Sequence, residues 1–133
     1  MKQHRNTKQR QLVLEAVRSR KDHPTADQIY QDLKMIDDKI SRATVYRNLN
    51  YLAEAGEILH VKVPSADRYD WRLDFHYHLF CTGCEAVSDL PLVYNQKLDQ
   101  EVTEKTSYVI ERHRTVFEGI CPACQARKKK GSV

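Results

Sequence analysis

The sequence contains no unbroken run of roughly eighteen apolar residues, which excludes a conventional membrane-spanning helix. Glycine is scarce, with four in 133 residues, while 30% of the chain is charged and 41% is apolar. That balance excludes a low-complexity or disordered chain and supports a packed core, in one domain or two small ones. The opening MKQHRNTKQR lacks the apolar stretch of a secretory signal. An intracellular, cytoplasmic protein is expected. In a reducing compartment its four cysteines serve as metal ligands or redox thiols, not as a disulfide framework. Acidic residues are also missing from the first ten positions, where Lys2, Arg5, Lys8 and Arg10 form a basic arm. Arg127 to Lys130 form a second basic cluster. Such arms often meet nucleic acid, and a solvated terminus is the plain alternative.

Hydrophobic periodicity predicts three helices in the first half. NTKQRQLVLEAVRSR places Val13, Leu14 and Val17 on one face. PTADQIYQDLKMI carries Ala26, Ile29, Tyr30 and Leu33 at helical spacing, and Thr25 with Gln28 makes a capping box. SRATVYRNLNYLAEAG begins at a Ser41 N-cap, aligns Val45, Leu49, Leu52 and Ala53, and stops at Gly56. The period then changes. EILHVKV alternates Leu59, Val61 and Val63, RYDWRL alternates Tyr69, Trp71 and Leu73, and PSAD between them reads as a turn. Three helices and a hairpin make a winged helix-turn-helix domain, expected over residues 1–73.

Residues 74–133 read as a smaller α/β domain, giving an α+β chain. HYHLF and AVSDL are expected strands, LVYNQKLDQEVTEK a helix with Tyr94, Leu98 and Val102 spaced by four, and SYVIERHRTVFEGI a strand.

In a winged helix the third helix reads DNA. Its polar face presents Ser41, Arg42, Thr44, Tyr46, Arg47 and Asn48, and Lys8 and Arg10 of the basic arm join the first five as candidate contacts. Arginine can bond bidentately to guanine, while hydroxyls and lysine position phosphates. The bland reading makes Arg42 and Arg47 ordinary solvated helix residues.

Cys81-x-x-Cys84 is matched by Cys121-x-x-Cys124, and no cysteine is left over. Two such pairs suit a closed tetrahedral zinc site. A redox dithiol is the competing reading, although that would need only one pair. His76 and His78, two apart in a strand, share a face. Asp70 falls on the polar face of the hairpin, opposite Tyr69 and Trp71. Asp89 lies on the next strand and His23 in the loop before the second helix. Spacing alone does not bring these five together.

The ordered set HPTADQIY, SRATVYRNL, RYD, HYHLFCTGC and CPAC resembles the ferric uptake regulator family of metal-dependent repressors over nearly the whole chain. The resemblance implies a winged helix followed by a dimerisation domain. It also implies a homodimer on an inverted-repeat double-stranded DNA operator, and structural Zn2+ at Cys81, Cys84, Cys121 and Cys124. The peroxide-sensing branch fits best, because its regulatory metal is held by residues matching His23, Asp70, His76, His78 and Asp89. Iron-sensing members tend to have glutamate in place of Asp70 and Asp89, and often a further site at the positions of Phe75 and Tyr77. Zinc sensors commonly add a cysteine that is missing here. Arg47 departs from the pattern, since some peroxide regulators carry asparagine there and iron regulators carry arginine. His113 matches a ligand of some relatives but is expected to be a structural or surface residue.

Three imidazoles and two carboxylates suit Fe2+ or Mn2+. The resemblance implies that hydrogen peroxide, reduced at iron, oxidises His23 or His78 to 2-oxo-histidine and releases DNA. A plain iron- or manganese-responsive repressor is the alternative. An enzyme would need an open zinc position and a general base, and a storage protein would leave the winged helix unexplained.

Overall fold

The computed structural model describes residues 2–131, with side chains described from Lys8 to Arg127. The side chains of Lys2, Arg5 and Lys128 to Lys130, assigned above to basic clusters, lie outside the described residues. The chain divides into two compact units, the first running to Asp74 and the second starting at Phe75.

The first unit contains α1 (Lys2–Ser19), α2 (Ala26–Lys34) and α3 (Arg42–Glu54), followed by β1 (Leu59–Val61) and β2 (Arg68–Asp70). The helices meet through the apolar stripes read from the sequence: Val13, Val17, Ile29, Leu33, Val45, Leu49 and Leu52 are all essentially inaccessible. Each such side chain contributes about 1.5–3 kcal/mol by leaving water. The helix ends are chemically fixed. At α2 the Gln28 N–H donates to Thr25 Oγ1 (3.1 Å) and the Thr25 N–H to Gln28 Oε1 (2.9 Å), completing the capping box. At α3 the Thr44 N–H donates to Ser41 Oγ at 3.1 Å. That helix ends with Ala55 as C-cap. Gly56 follows at φ +76, and the Glu57 N–H reaches back to the Leu52 carbonyl at 2.9 Å. Glycine is needed there because an L side chain crowds the following carbonyl at positive φ.

β1 and β2 pair antiparallel, with Leu59 opposite Asp70 and Val61 opposite Arg68. The hairpin is shorter than the alternation suggests. Pro64 has no N–H to extend β1. Beyond β2, the Arg72 N–H donates to Asp70 Oδ1 at 3.0 Å and turns the chain. Val63, Trp71 and Leu73 therefore lie outside the ladder, with Trp71 and Leu73 half-exposed. β2 is also stitched to the loop before α2. The Tyr69 N–H donates to the Pro24 carbonyl (2.9 Å), and Arg68 Nη1 donates to the His23 carbonyl (3.0 Å).

The second unit holds β3 (His78–Cys81), β4 (Val87–Asp89), α4 (Gln96–Lys105), β5 (Val116–Gly119) and α5 (Pro122–Gly131). Its sheet has the order β4-β3-β5, antiparallel between β3 and β4 and parallel between β3 and β5. Two strands differ from expectation. β3 begins only at His78, so His76 precedes it, and of the long SYVIERHRTVFEGI segment only Val116–Gly119 pairs. β3 has just four residues to offer β5, which limits that ladder. α5 was not expected, because its basic sequence has no apolar stripe. This unit has little apolar interior: among the described residues only Tyr77, Phe80 and Cys81 are buried hydrophobics, and α4 buries none.

Candidate metal centres

The β3–β4 turn and the start of α5 carry the two cysteine pairs. One sulfur from each of Cys81, Cys84, Cys121 and Cys124 lies within 4.8 Å of the others, and Cys84 Sγ sits 3.8 Å from Cys121 Sγ. Zinc–thiolate bonds of about 2.3 Å at tetrahedral angles place sulfurs about 3.8 Å apart, so the donors fit that ion. The thiols are all free. Backbone N–H groups of Gly83, Cys84 and Cys121 converge on Cys81 Sγ at 3.3, 3.4 and 3.4 Å. These donors, Cys121 first and Cys84 next, lower the Cys81 thiol to about 6. Cys81 therefore favours thiolate before any metal arrives, whereas, against the opposing bond from Arg127, burial and the neighbouring sulfurs push the Cys124 thiol up to about 11. Gly83 approaches closely, since a Cβ there would lie 3.0 Å from Cys124 Sγ and would press on that side chain. The four donors and their spacing fit a structural zinc ion.

The histidines and aspartates form two partial sets, one in each unit. In the first, His23 Nε2 lies 3.1 Å from Asp70 Oδ2, and both side chains are buried. The sequence placed Asp70 on a polar face, but it is only 2% exposed because the stitched loop carries His23 onto it. In the second unit, Asp89 Oδ1 lies 3.0 Å from His76 Nε2 and 3.6 Å from His78 Nε2. The register makes this contact, because His78 and Asp89 are direct cross-strand partners. The two imidazoles stand 4.5 Å apart. Neighbouring donors on an ion with bonds of about 2.1 Å lie about 3 Å apart at right angles, so each partial set has ligand spacing. Without thiolates, the donors suit iron(II) or manganese(II).

The candidate DNA contacts divide by freedom. Lys8, Tyr46 and Arg47 are exposed, with Arg47 Nη2 3.5 Å from Thr44 Oγ1. Ser41 and Thr44 are engaged in the α3 cap, Ser41 Oγ lying 2.9 Å from Thr44 Oγ1. Arg42 pairs with Asp27 of α2 and sits over the Tyr30 ring. The Arg10 guanidinium lies 3.7 Å from the Tyr51 ring centroid, tying α1 to α3. His113 is a structural rather than a surface residue here: both ring nitrogens are engaged, by Tyr77 and Asp99. Sequence reading missed this cluster because its members are scattered over four segments.

A helical unit ending in a hairpin, joined to a unit rich in thiolates and imidazoles, defines a metalloregulator. The chain belongs to the ferric uptake regulator family, whose model matches residues 1–118. It is similar to the peroxide-responsive repressor PerR of Staphylococcus aureus, 33% identical over 122 residues that span 91% of this chain and 82% of that protein. Among solved structures it is similar to the Campylobacter jejuni peroxide stress regulator, with TM-score 0.76 and 29% identity, covering 92% of this chain and 95% of that one. The Helicobacter pylori ferric uptake regulator shares the fold, with TM-score 0.76 and 24% identity over 89% of this chain and 80% of that one. Members of the family are transcriptional regulators, not enzymes. No described helix is long and apolar enough to cross a membrane.

Proposed function

We propose that the protein is a cytoplasmic, homodimeric, peroxide-sensing repressor. In this reading residues 1–73 are a winged-helix domain that docks α3 in the major groove of an inverted-repeat double-stranded operator. Residues 74–133 form the dimerisation domain. Support for dimerisation comes from the exposed apolar residues Leu79, Leu98, Val102 and Phe117 on a unit that buries little of its own. Structural zinc holds the cysteine cage.

The observation that carries the reading is the donor inventory. His23 with Asp70, both buried, and His76 and His78 with the part-exposed Asp89 are two partial sets, each short of the six ligands of an octahedral ion. Joined on one Fe2+ or Mn2+, they would make metal a ligand of one interdomain arrangement and so link it to DNA affinity. Bound iron(II) supplies reduction of hydrogen peroxide. His23 and His78 then present imidazoles for oxidation, and a modified imidazole no longer holds its unit in the DNA-binding arrangement. The likeness to two peroxide regulators supports this reading.

Arg47 favours a second reading, a metal-responsive repressor without peroxide chemistry, because the resemblance places arginine there in iron regulators. Mass spectrometry after peroxide treatment of the iron-loaded protein separates the two, with a gel shift on operator DNA alongside. Peroxide sensing requires one added oxygen on a peptide carrying His23 or His78, and loss of the shifted band. Unmodified histidines with full DNA binding would leave only the metal-responsive repressor.

A further inference from the structure

Tyr77 stands between two proposed ligands in sequence, yet its side chain belongs to a different cluster. Its hydroxyl lies 2.7 Å from His113 Nε2, and His113 Nδ1 lies 2.6 Å from Asp99 Oδ1. The second oxygen of Asp99 accepts the Tyr94 hydroxyl. Two backbone donors complete the set: the Asn95 N–H reaches the Tyr77 oxygen and the His113 N–H the Tyr94 oxygen, both at 2.9 Å. The Tyr94 and His113 rings stack at 4.5 Å.

The partners assign the protons. The bonds from Tyr94 and then His113 hold the Asp99 carboxyl below its usual range, so it is an acceptor only. Nδ1 of His113 therefore carries a ring proton, and in the neutral imidazole Nε2 is the acceptor. Tyr77 is then the donor to a neutral imidazole whose far side is already anchored on a carboxylate. A packing role would account for satisfied hydrogen bonds, but it does not require a base aimed at a phenol.

Removing one electron from a phenol makes it a strong acid, so the oxidation is accessible only where the proton can leave at once. A neutral imidazole is a stronger base than a carboxylate, so of the two phenols Tyr77 has the better proton acceptor. We propose that Tyr77 is a redox-active tyrosine, oxidised to a neutral tyrosyl radical as its phenolic proton passes to His113 Nε2. With an oxidant of the hydroxyl-radical class, the electron converts the radical to hydroxide. The proton stays on His113 as imidazolium facing Asp99, and it returns when a thiol reductant restores the phenol. Only the source of that oxidant, iron(II) with peroxide, rests on the reading above. An oxidising equivalent taken by Tyr77 is one that spares a ligand histidine, so the residue raises the peroxide dose the protein tolerates.

The first test uses the zinc-loaded full chain without iron, oxidised by photogenerated trivalent ruthenium tris(bipyridine). Electron paramagnetic resonance should show the same tyrosyl signal in wild type and Tyr108→Phe, and none in Tyr77→Phe. His113→Gln should slow radical formation by roughly 100-fold, the low end of what a positioned proton acceptor contributes. An undiminished signal in Tyr77→Phe overturns the proposal. Zinc content and circular dichroism confirm folding, and Tyr77→Phe, lacking one oxygen, keeps the test decisive if His113→Gln misfolds. In the second test, iron(II)-loaded Tyr77→Phe treated with peroxide should gain more oxygen on His23 or His78 than wild type. Equal gains would overturn the sparing role. No oxygen on either histidine in either protein would overturn peroxide sensing instead, with the iron-free radical still deciding the case for Tyr77.

Discussion

His78 faces Asp89 directly across the β3–β4 ladder, and a single carboxylate oxygen of Asp89 lies within 3.6 Å of both His76 and His78. Asp89→Ala should therefore loosen both imidazoles at once. Manganese(II) affinity measured by calorimetry should fall by at least roughly tenfold, the smaller loss seen even for groups one step removed from a metal. Asp89→Glu should keep metal-dependent DNA binding but slow inactivation by peroxide. Unchanged affinity in Asp89→Ala would remove Asp89 from the centre.

The cysteine cage should be sensitive to substitution beyond its ligands. Cys81→Ser or Cys121→Ser should release zinc and unfold or monomerise the second unit, because metal replaces core that this unit lacks. Gly83→Ala leaves every ligand in place but sets a methyl against Cys124 Sγ. It should retain zinc less well in a timed chelator challenge. Wild-type retention by Gly83→Ala would mean that the cage tolerates displacement.

Acid should act on the zinc-free cage through Cys81. Its thiol is held at about 6 in the fold against an ordinary value of 9.0. A depressed folded value means that the stabilisation is complete above about 9 and is lost as pH falls through about 6. Titration of thiolate absorbance in zinc-stripped protein whose circular dichroism shows the second unit still folded should show one thiol ionising near 6, and stripped protein that has unfolded should lack that step.

The basic side chains should separate by role. Arg47→Ala should weaken operator binding by about 1–3 kcal/mol and relax discrimination at one base pair. Lys8→Ala should weaken all sequences alike and flatten the salt dependence. Arg10→Ala should instead lower thermal stability by about 0.5–1 kcal/mol through the lost Tyr51 contact. Equal losses on specific and random DNA would take Arg47 out of base reading.

The caps give a stability test independent of metal. Ser41→Ala removes the acceptor for the Thr44 N–H and should cost about 1 kcal/mol in denaturant unfolding. Gly56→Ala, at positive φ, should cost about 1 kcal/mol or more.

The parts legible in the sequence are those fixed locally. Thr25 with Gln28, Ser41 and Gly56 mark helix ends through bonds within a few residues, and the stripes from Val13 to Leu52 follow one helical period. The burial of Asp70 was hidden because alternation reveals a face only when the other side meets water, and His23 arrives from 47 residues away in sequence to pair with it. Likewise, His113 sits in a stretch that alternates like a strand, but its hydrogen bonds to Tyr77 and Asp99 draw it out of the sheet. The pairing of His78 with Asp89 depends on a register that a short strand does not announce.

β3 begins at His78 and ends at Cys81, so one strand about 10 Å long joins a proposed sensing ligand to the zinc cage. On that reading the strand is a short strut between the two proposed metal sites. Stripping zinc, or oxidising its thiolates, would take away the footing of His78 without touching the imidazole. The protein would then fall silent by two separate routes, and only one of them would leave its mark on a histidine.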